Sequence, residues 1–249
     1  MNSENATFWE HLEDLRWVFV RCVTAAVVVA VVVFCMKDLL FSVVLGPARG
    51  DFVTYRLIGV EMSDLTLVNT VITEQFMVHL RTAFFASIVL VSPYLVYEVF
   101  RFISPALYAA ERRSVIFLGG GAYLMFMIGL LVNYFIIFPV SLRFLASYQV
   151  DSMVGNMLTL QSYTDTFLSM SFLVGLVFEL PVVSVLLSYL GLVDAALMGR
   201  FRRHAIVAVF IVAAIITPTT DAFTLMIVAL PILLLYELSI LLVKVNVKK

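Results

Sequence analysis

The chain has 249 residues, and 63% of them are hydrophobic; its mean hydropathy is +1.07. Water-soluble domains average about 45–50% apolar residues, so a soluble fold of this size would carry more apolar surface than it could bury. The 16 basic and 17 acidic residues leave a formal net charge of −1, which gives no indication of nucleic-acid binding. The composition therefore predicts an all-α integral membrane protein surrounded by membrane lipids.

Six apolar runs follow one another along the chain. A helix needs roughly 20 apolar residues to cross a hydrocarbon core of about 30 Å, and several runs approach that length. No repeat or linker separates them, so we expect one membrane domain over 1–249, with an N-terminal segment 1–17, a six-helix bundle 18–243 and a tail 244–249. The runs cover 18–35, 83–102, 115–138, 167–190, 205–216 and 222–243.

The distribution of basic residues predicts the orientation. With six crossings, both termini lie on one side, and that side would hold most of the 16 lysine and arginine residues. The opposite side holds few, although its first loop, 36–82, is the longest in the chain. Because cytoplasmic loops retain the excess of positive charge, both termini are expected in the cytoplasm.

The last two runs are expected to be short. The fifth, 205–216, would form about 18 Å of helix between Arg203 and Pro218. The sixth is long enough nominally, but Pro231 and Glu237 interrupt it. We expect this pair to thin the membrane locally or to be shielded by partner helices; the alternative is a re-entrant hairpin.

Glu179 lies near the middle of the fourth run. An ionised carboxylate there is costly, so we expect it to be protonated, to face a wet cavity or to contact a polar partner, with a functional role. The alternative is a neutral carboxyl that packs between helices and bonds a backbone carbonyl freed by Pro181.

Two further carboxyls flank the sixth run. Asp221 opens it, where a carboxylate caps a helix N-terminus and favours the helix dipole. Glu237 lies near its other end, where it could bond the basic tail that begins at Lys244 or lean toward the interface.

Acidic side chains are expected to gather on the cytoplasmic surface. Before the first run, Leu12 and Leu15 share one helical face with Phe8 and Phe19, while Glu13 and Asp14 share another with Glu10, which predicts an amphipathic surface helix. Glu98 and Glu111 lie at the foot of the second and third runs. Such carboxylates would suit a guanidinium ligand; the alternative is a solvated face with Glu111 paired to a neighbouring arginine.

These residues also follow a family pattern. The most specific stretch is YEVFRFISPALY at 97–108 followed by ERR at 111–113, and HLEDLR at 11–16 precedes it. FELP at 178–181, TP at 217–218 with DAF at 221–223, and YE at 236–237 continue the order and spacing. Over almost its full length, the sequence resembles the TatC family of the twin-arginine protein translocase.

The resemblance implies a concave, glove-like bundle in the bacterial inner membrane, without a cofactor. It implies a receptor for twin-arginine signal peptides within a machine that exports folded proteins using the proton-motive force. Its expected partners are those peptides, the single-span subunits TatA and TatB, and further copies of itself. The peptide-binding residues would be Asp14, Arg16, Glu98, Phe100, Pro105, Tyr108 and Glu111, with Glu179 as the intramembrane carboxyl and Asp221 and Glu237 near the docked partners.

The sequence departs from the family pattern at two of these positions. Asp14 stands where glutamate is usual, so its carboxylate reaches less far toward an arginine. Glu98 stands where glutamine is frequent, and therefore adds a negative charge.

Other functions remain open from the residues alone. A midplane carboxylate such as Glu179 is typical of proton-coupled small-molecule transporters, although paired halves with matching broken helices are missing. An enzyme is not expected, because the three histidines lie at membrane edges without a metal or nucleophile constellation. A passive scaffold is a further alternative.

Overall fold

A computed structural model describes residues 3–59, 63–103, 112–149, 151, 157–217 and 221–246. Within these ranges the side chains of 3–12, 14, 100, 103, 112–117 and 246 are outside the description. The chain separates into two compact units, Met1–Leu40 with His79–Tyr123 and Phe41–Val78 with Leu124–Lys249. The units are described one at a time below, and the single membrane domain stays a prediction.

Unit 1 is built from long helices. It contains helix α1, Ser3–Cys35, most of α4, Glu74–Ile103, and the first part of α5, Arg112–Val132. Helix α1 continues unbroken from Ser3 to Cys35, so the predicted amphipathic helix before residue 18 and the first apolar run form one helix; its position on the cytoplasmic surface stays a prediction. This stretch has neither glycine nor proline, the residues that most often end a helix.

Unit 2 contains the remaining elements. Its helices surround a core that includes the fully buried Tyr55, Tyr163, Phe138 and Met170. The elements, in chain order, are α2 Lys37–Val44, which begins in unit 1, a 3-10 turn Gly46–Ala48, α3 Val53–Ile58, β1 Leu67–Val68, the π-helical turn Asn133–Ile137 after α5, α6 Phe138–Ser147, β2 Leu158–Thr159, α7 Leu160–Val177, α8 Leu180–Tyr189, α9 Ala195–Arg200, α10 Arg202–Ile216 and α11 Ala222–Asn246.

Two short strands join the connections of unit 2. Strands β1 and β2 pair in parallel, with Leu67 opposite Leu158 and Val68 opposite Thr159. Thr159 then caps α7, since its hydroxyl accepts a hydrogen bond from the Ser162 N–H at 3.1 Å. This bridge was not expected from the sequence, because two-residue strands leave no periodic pattern.

Five helical segments of the described residues are long and apolar enough to cross a membrane. They cover Leu15–Cys35, Glu74–Val99, Leu118–Ser147, Leu160–Tyr189 and Ala222–Val245. These spans confirm a multi-span helical membrane protein. The predicted fifth run forms α10, whose 15 residues make a helix of about 22 Å, so its expected shortness is confirmed; its crossing stays a prediction.

The expectation of a short sixth helix is wrong. Helix α11 runs for 25 residues and holds Pro231 in its interior. Proline lacks the N–H for an intrahelical bond, but transmembrane helices tolerate this where neighbouring helices pack around the site. Helix α11 packs against α8 and α10, and its apolar segment Ala222–Val245 is long enough to span.

The third and fourth runs differ in continuity. Helices α5 and α6 join through the π-helical turn, where the fully buried Asn133 donates a hydrogen bond from Nδ2 to Ser171 Oγ at 2.9 Å. Helices α7 and α8 are separated at Phe178 and Glu179. Pro181 explains this break, because it cannot donate to the carbonyl four residues earlier.

The tyrosine core of unit 2 gives a pH prediction. The Tyr55 hydroxyl donates to the Pro47 and Pro139 carbonyl oxygens, at 2.9 and 3.2 Å, and burial raises the pKa of Tyr55 to about 12. Ionisation is therefore harder in the folded state, so the stability that Tyr55 contributes is present below pH 10 and is lost as the pH rises toward 12. The difference in melting temperature between wild type and Tyr55→Phe should shrink over that window; a constant difference would contradict it.

Candidate functional site

The N-terminal part of the predicted peptide-binding patch lies on α1. Arg16 is exposed, and its Nη1 lies 3.9 Å from Glu13 Oε1, one turn earlier on the same helix. A pair this exposed is worth little, typically about 0–1 kcal/mol, so the guanidinium is available to other groups. Asp14 belongs to the same helix, and its side chain lies outside the described residues.

The loop part of the patch is outside the description. Glu111, Pro105 and Tyr108 lie in the range 104–111, beyond the described residues. Phe100 belongs to α4, but its side chain is likewise not described. Their predicted roles in peptide binding stay predictions.

Glu98 is buried instead of lying on an open acidic surface. Its side chain is 3% exposed, and its Oε1 lies 3.4 Å from Arg21 Nη1 on α1. The Tyr94 hydroxyl, one turn earlier on α4, donates to the same oxygen at 3.0 Å. A cation and a phenol therefore compensate the buried carboxylate, while Oε2 is buried without a hydrogen-bond partner among the described residues.

Sequence reasoning missed the part played by Arg21. In the sequence it is one of the basic residues on the predicted cytoplasmic side. The available signal was its position within the apolar run 18–35, since a charge there needs a polar partner or a route to the interface. The structure supplies Glu98 as that partner.

Glu179 lies at the break between α7 and α8. Its backbone N–H bonds the Leu176 carbonyl at 3.1 Å, a tight turn that ends α7, and its carbonyl accepts from the Val183 N–H at 2.9 Å. The side chain is partly exposed, and within the described ranges it makes no hydrogen bond or ion pair. The alternative in which its carboxyl bonds a freed carbonyl is therefore not seen.

Close packing of α5 against α7 fixes the residue before Glu179. A Cβ on Gly129 would lie 2.8 Å from Phe178 Cβ and 3.0 Å from Gly175 Cα. Only glycine permits this approach, so the end of α7 is held against α5 at the turn that presents Glu179.

The two carboxyls of α11 are both engaged. Asp221 caps the helix as predicted, because its Oδ1 accepts from the Thr224 N–H at 2.8 Å. Glu237 pairs with Arg202 of α10, with Oε2 2.8 Å from Nη2, and both side chains are half-exposed. The partner suggested from sequence was the tail at Lys244; the structure instead uses a base from the neighbouring helix.

A buried carboxylate in unit 2 was also missed. Glu74 is 3% exposed, and its Oε2 accepts hydrogen bonds from the Thr70 N–H and Oγ1 and from the Val71 N–H, at 2.9, 3.1 and 3.1 Å. Its Oε1 accepts from the Gln161 N–H at 2.9 Å. This carboxylate ties the start of α4 to the start of α7, next to the β1–β2 bridge.

Comparison with known proteins identifies the family. The family described as Sec-independent protein translocase protein (TatC) matches residues 10–231. A protein of that name from Koribacter versatilis is 35% identical over 238 residues, covering 94% of this chain and 83% of the relative. Another from Carboxydothermus hydrogenoformans is 32% identical over 244 residues, covering 98% and 95%.

The fold agrees with these sequence relationships. A crystal structure described as the twin-arginine translocase receptor TatC in DDM superposes with a TM-score of 0.78 at 29% identity, covering 94% of this chain and 99% of that one. A second crystal structure of a TatC receptor gives 0.76 at 30% identity, with coverages of 94% and 98%. The chain therefore belongs to the TatC family of protein translocase subunits.

Proposed function

We propose that this protein is the signal-peptide receptor of a twin-arginine translocase, which uses the proton-motive force to export folded proteins. The observation that carries the proposal is the agreement of family and fold along the chain: the family match covers residues 10–231, and the superposed structures are described as twin-arginine translocase receptors. A small-molecule transporter has no comparable support.

The proposed recognition site is an acidic patch at the cytoplasmic face. Asp14 and Glu111 bind the two arginines of the signal peptide, and Arg16 with the segment 100–108 shapes the surface between them. Carboxylates hold guanidinium groups through paired, charge-assisted hydrogen bonds, which a lysine ammonium cannot reproduce. This chemistry accounts for a preference for arginine over lysine.

The proposed topology has six crossings of the bacterial inner membrane and both termini in the cytoplasm. Five spans are long enough by themselves; α10, with 15 residues, crosses a locally thinned bilayer or is shielded by a partner. Single-span TatA and TatB subunits dock near Asp221 and Glu237, and several copies of the chain assemble together. The Glu179 side chain, which makes no hydrogen bond or ion pair among the described residues, offers a polar contact inside the membrane.

The test is binding of a fluorescent signal peptide to the detergent-solubilised protein. Peptides with an arginine pair and with a lysine pair are compared on wild type, on Glu111→Gln and on the control Asp51→Asn. Asp51 suits the control because its carboxylate is exposed in unit 2, in a surface pair with Arg56 at 3.5 Å. We expect Kd to rise about tenfold or more, equivalent to about 1.4 kcal/mol, for the lysine peptide on wild type and for the arginine peptide on Glu111→Gln.

Three results would contradict the proposal. If the folded wild-type protein binds neither peptide, it is not a signal-peptide receptor. Equal affinities for the arginine and lysine pairs would show that binding does not depend on paired hydrogen bonds to guanidinium groups. An equal loss in Asp51→Asn would show that binding follows net charge instead of this patch.

A further inference from the structure

Helices α1 and α4 of unit 1 contact each other through polar side chains at the end nearest the predicted patch. The buried Glu98 carboxylate of α4 holds Arg21 of α1 at 3.4 Å, and Tyr94 donates to the same oxygen at 3.0 Å. At the opposite end of the two helices, the Phe34 and His79 rings stack with centroids 4.1 Å apart and an interplanar angle of 9°. The antiparallel helices are thus joined near both ends.

The polar contact between Arg21 and Glu98 is important for the position of α1, because little of the apolar surface of α1 is buried. Only 6% of its most apolar 18-residue window is buried. Within the described ranges, the Arg21–Glu98 pair is the one ion pair that joins α1 to α4. An apolar contact in the membrane permits a helix to slide or rotate, whereas an ion pair with a buried carboxylate and a half-exposed guanidinium favours one register.

The pair lies close to patch residues on both helices. Arg16 precedes Arg21 by five residues on α1, about 7.5 Å of helix, and Phe100 follows Glu98 by two residues on α4. Asp14 and Arg16, one part of the patch, belong to α1. The other part begins on α4 and continues in sequence to Glu111. Fixing α1 to α4 at this level therefore sets the starting points of both parts.

We propose that the Arg21–Glu98 ion pair, supported by Tyr94, is a positioning device that aligns the α1 and α4 segments for binding of an arginine pair. Glu98 then acts through Arg21 and is not a ligand of the peptide. Its burial supports this, because a carboxylate that is 3% exposed is not open to an incoming guanidinium. The inference rests on the proposed receptor function.

The experiment measures peptide affinity and the number of binding sites in Arg21→Gln, Glu98→Gln and the double variant. Loss of folded protein lowers the number of sites, whereas a misaligned patch raises Kd at an unchanged number of sites. We expect each single variant to raise Kd for the arginine-pair peptide about fivefold or more, and the double variant to be no worse than either, because both changes remove one interaction. Selectivity over the lysine-pair peptide should fall in parallel.

Milder variants keep the test decisive if a single variant folds poorly. Arg21→Lys retains the charge and should recover most of the affinity, and Tyr94→Phe should raise Kd less than Arg21→Gln. Arg56→Gln is the matched control, since it neutralises an exposed pair of similar length, 3.5 Å, and should leave Kd unchanged.

Two outcomes would overturn the positioning role. If Glu98→Gln weakens binding while Arg21→Gln does not, Glu98 is a direct ligand. If folded Arg21→Gln and Arg21→Lys bind like wild type while Glu111→Gln loses affinity, the receptor function stands and only the positioning role fails. A wild type that binds no arginine-pair peptide would instead remove the proposed function itself.

Discussion

Replacing Glu74 by alanine should lower the temperature of thermal unfolding by several degrees. The Glu74 carboxylate accepts hydrogen bonds from the backbone N–H groups of Thr70, Val71 and Gln161. Its removal takes a charge-assisted hydrogen bond from each of these three donors, and water can replace only part of the loss, although Thr70, Val71 and Gln161 are exposed residues.

Hydrogen exchange and thermal unfolding would check this prediction. The amides of Thr70, Val71 and Gln161 should lose protection together, because one carboxylate serves all three. Glu74→Gln should lose less stability than Glu74→Ala, because its amide oxygen can still accept hydrogen bonds. It should still be less stable than wild type, because its NH2 group cannot accept from the remaining donors. The exposed Asp51→Asn should change stability by less than about 0.5 kcal/mol. Unchanged amide protection in Glu74→Ala would show that the hydrogen bonds of Glu74 do not stabilise the folded protein.

Gly129→Ala should destabilise unit 2 by about 1–3 kcal/mol, the usual cost of overpacking. The new methyl group would lie 2.8 Å from Phe178 Cβ and 3.0 Å from Gly175 Cα. Both atoms belong to or adjoin the backbone of α7, so relief requires the helix end to move. Because Glu179 is the next residue, its position in the membrane should shift as well.

Two other glycines provide matched controls. A methyl group on Gly175 would meet the end of the Phe126 ring at 2.8 Å, which can rotate away, so Gly175→Ala should destabilise less than Gly129→Ala. Gly120 of α5 has nothing within 4 Å, so Gly120→Ala should be neutral or stabilising by up to about 1 kcal/mol. Phe178→Leu should not rescue Gly129→Ala, since leucine keeps the offending Cβ. A different ranking in thermal unfolding would contradict this account.

The long elements were predictable because each is a long apolar run. Residues 18–35 and 222–243 lie inside α1 and α11. Tertiary contacts override a local rule at Pro231: proline favours an interruption of the helix, but the neighbouring helices support an unbroken α11. In contrast, Pro181 does mark the break before α8. The two prolines cannot be distinguished by sequence, since the difference lies in what surrounds them.

The sequence identifies which polar residues belong to the candidate site, but it does not identify the residues with which they pair. The capping role of Asp221 follows from its position alone and is confirmed. The partners of Glu98 and Glu237 are Arg21 and Arg202, which lie 77 and 35 residues away in sequence, and no local pattern connects such pairs. The hydrogen bonds of Glu74 depend on the β1–β2 bridge, which is too short to leave a periodic signal.

The most direct test of the receptor function is to locate the bound arginine pair. A signal peptide with a photoreactive residue beside its two arginines would be cross-linked to the folded protein, and the attachment point found by mass spectrometry. The account predicts attachment within 10–16 or 104–113, with competition by an unlabelled arginine-pair peptide and little by a lysine-pair peptide. Competed attachment at the other end of the spans, around Glu74 and the β1–β2 bridge, would contradict both the site and the proposed orientation.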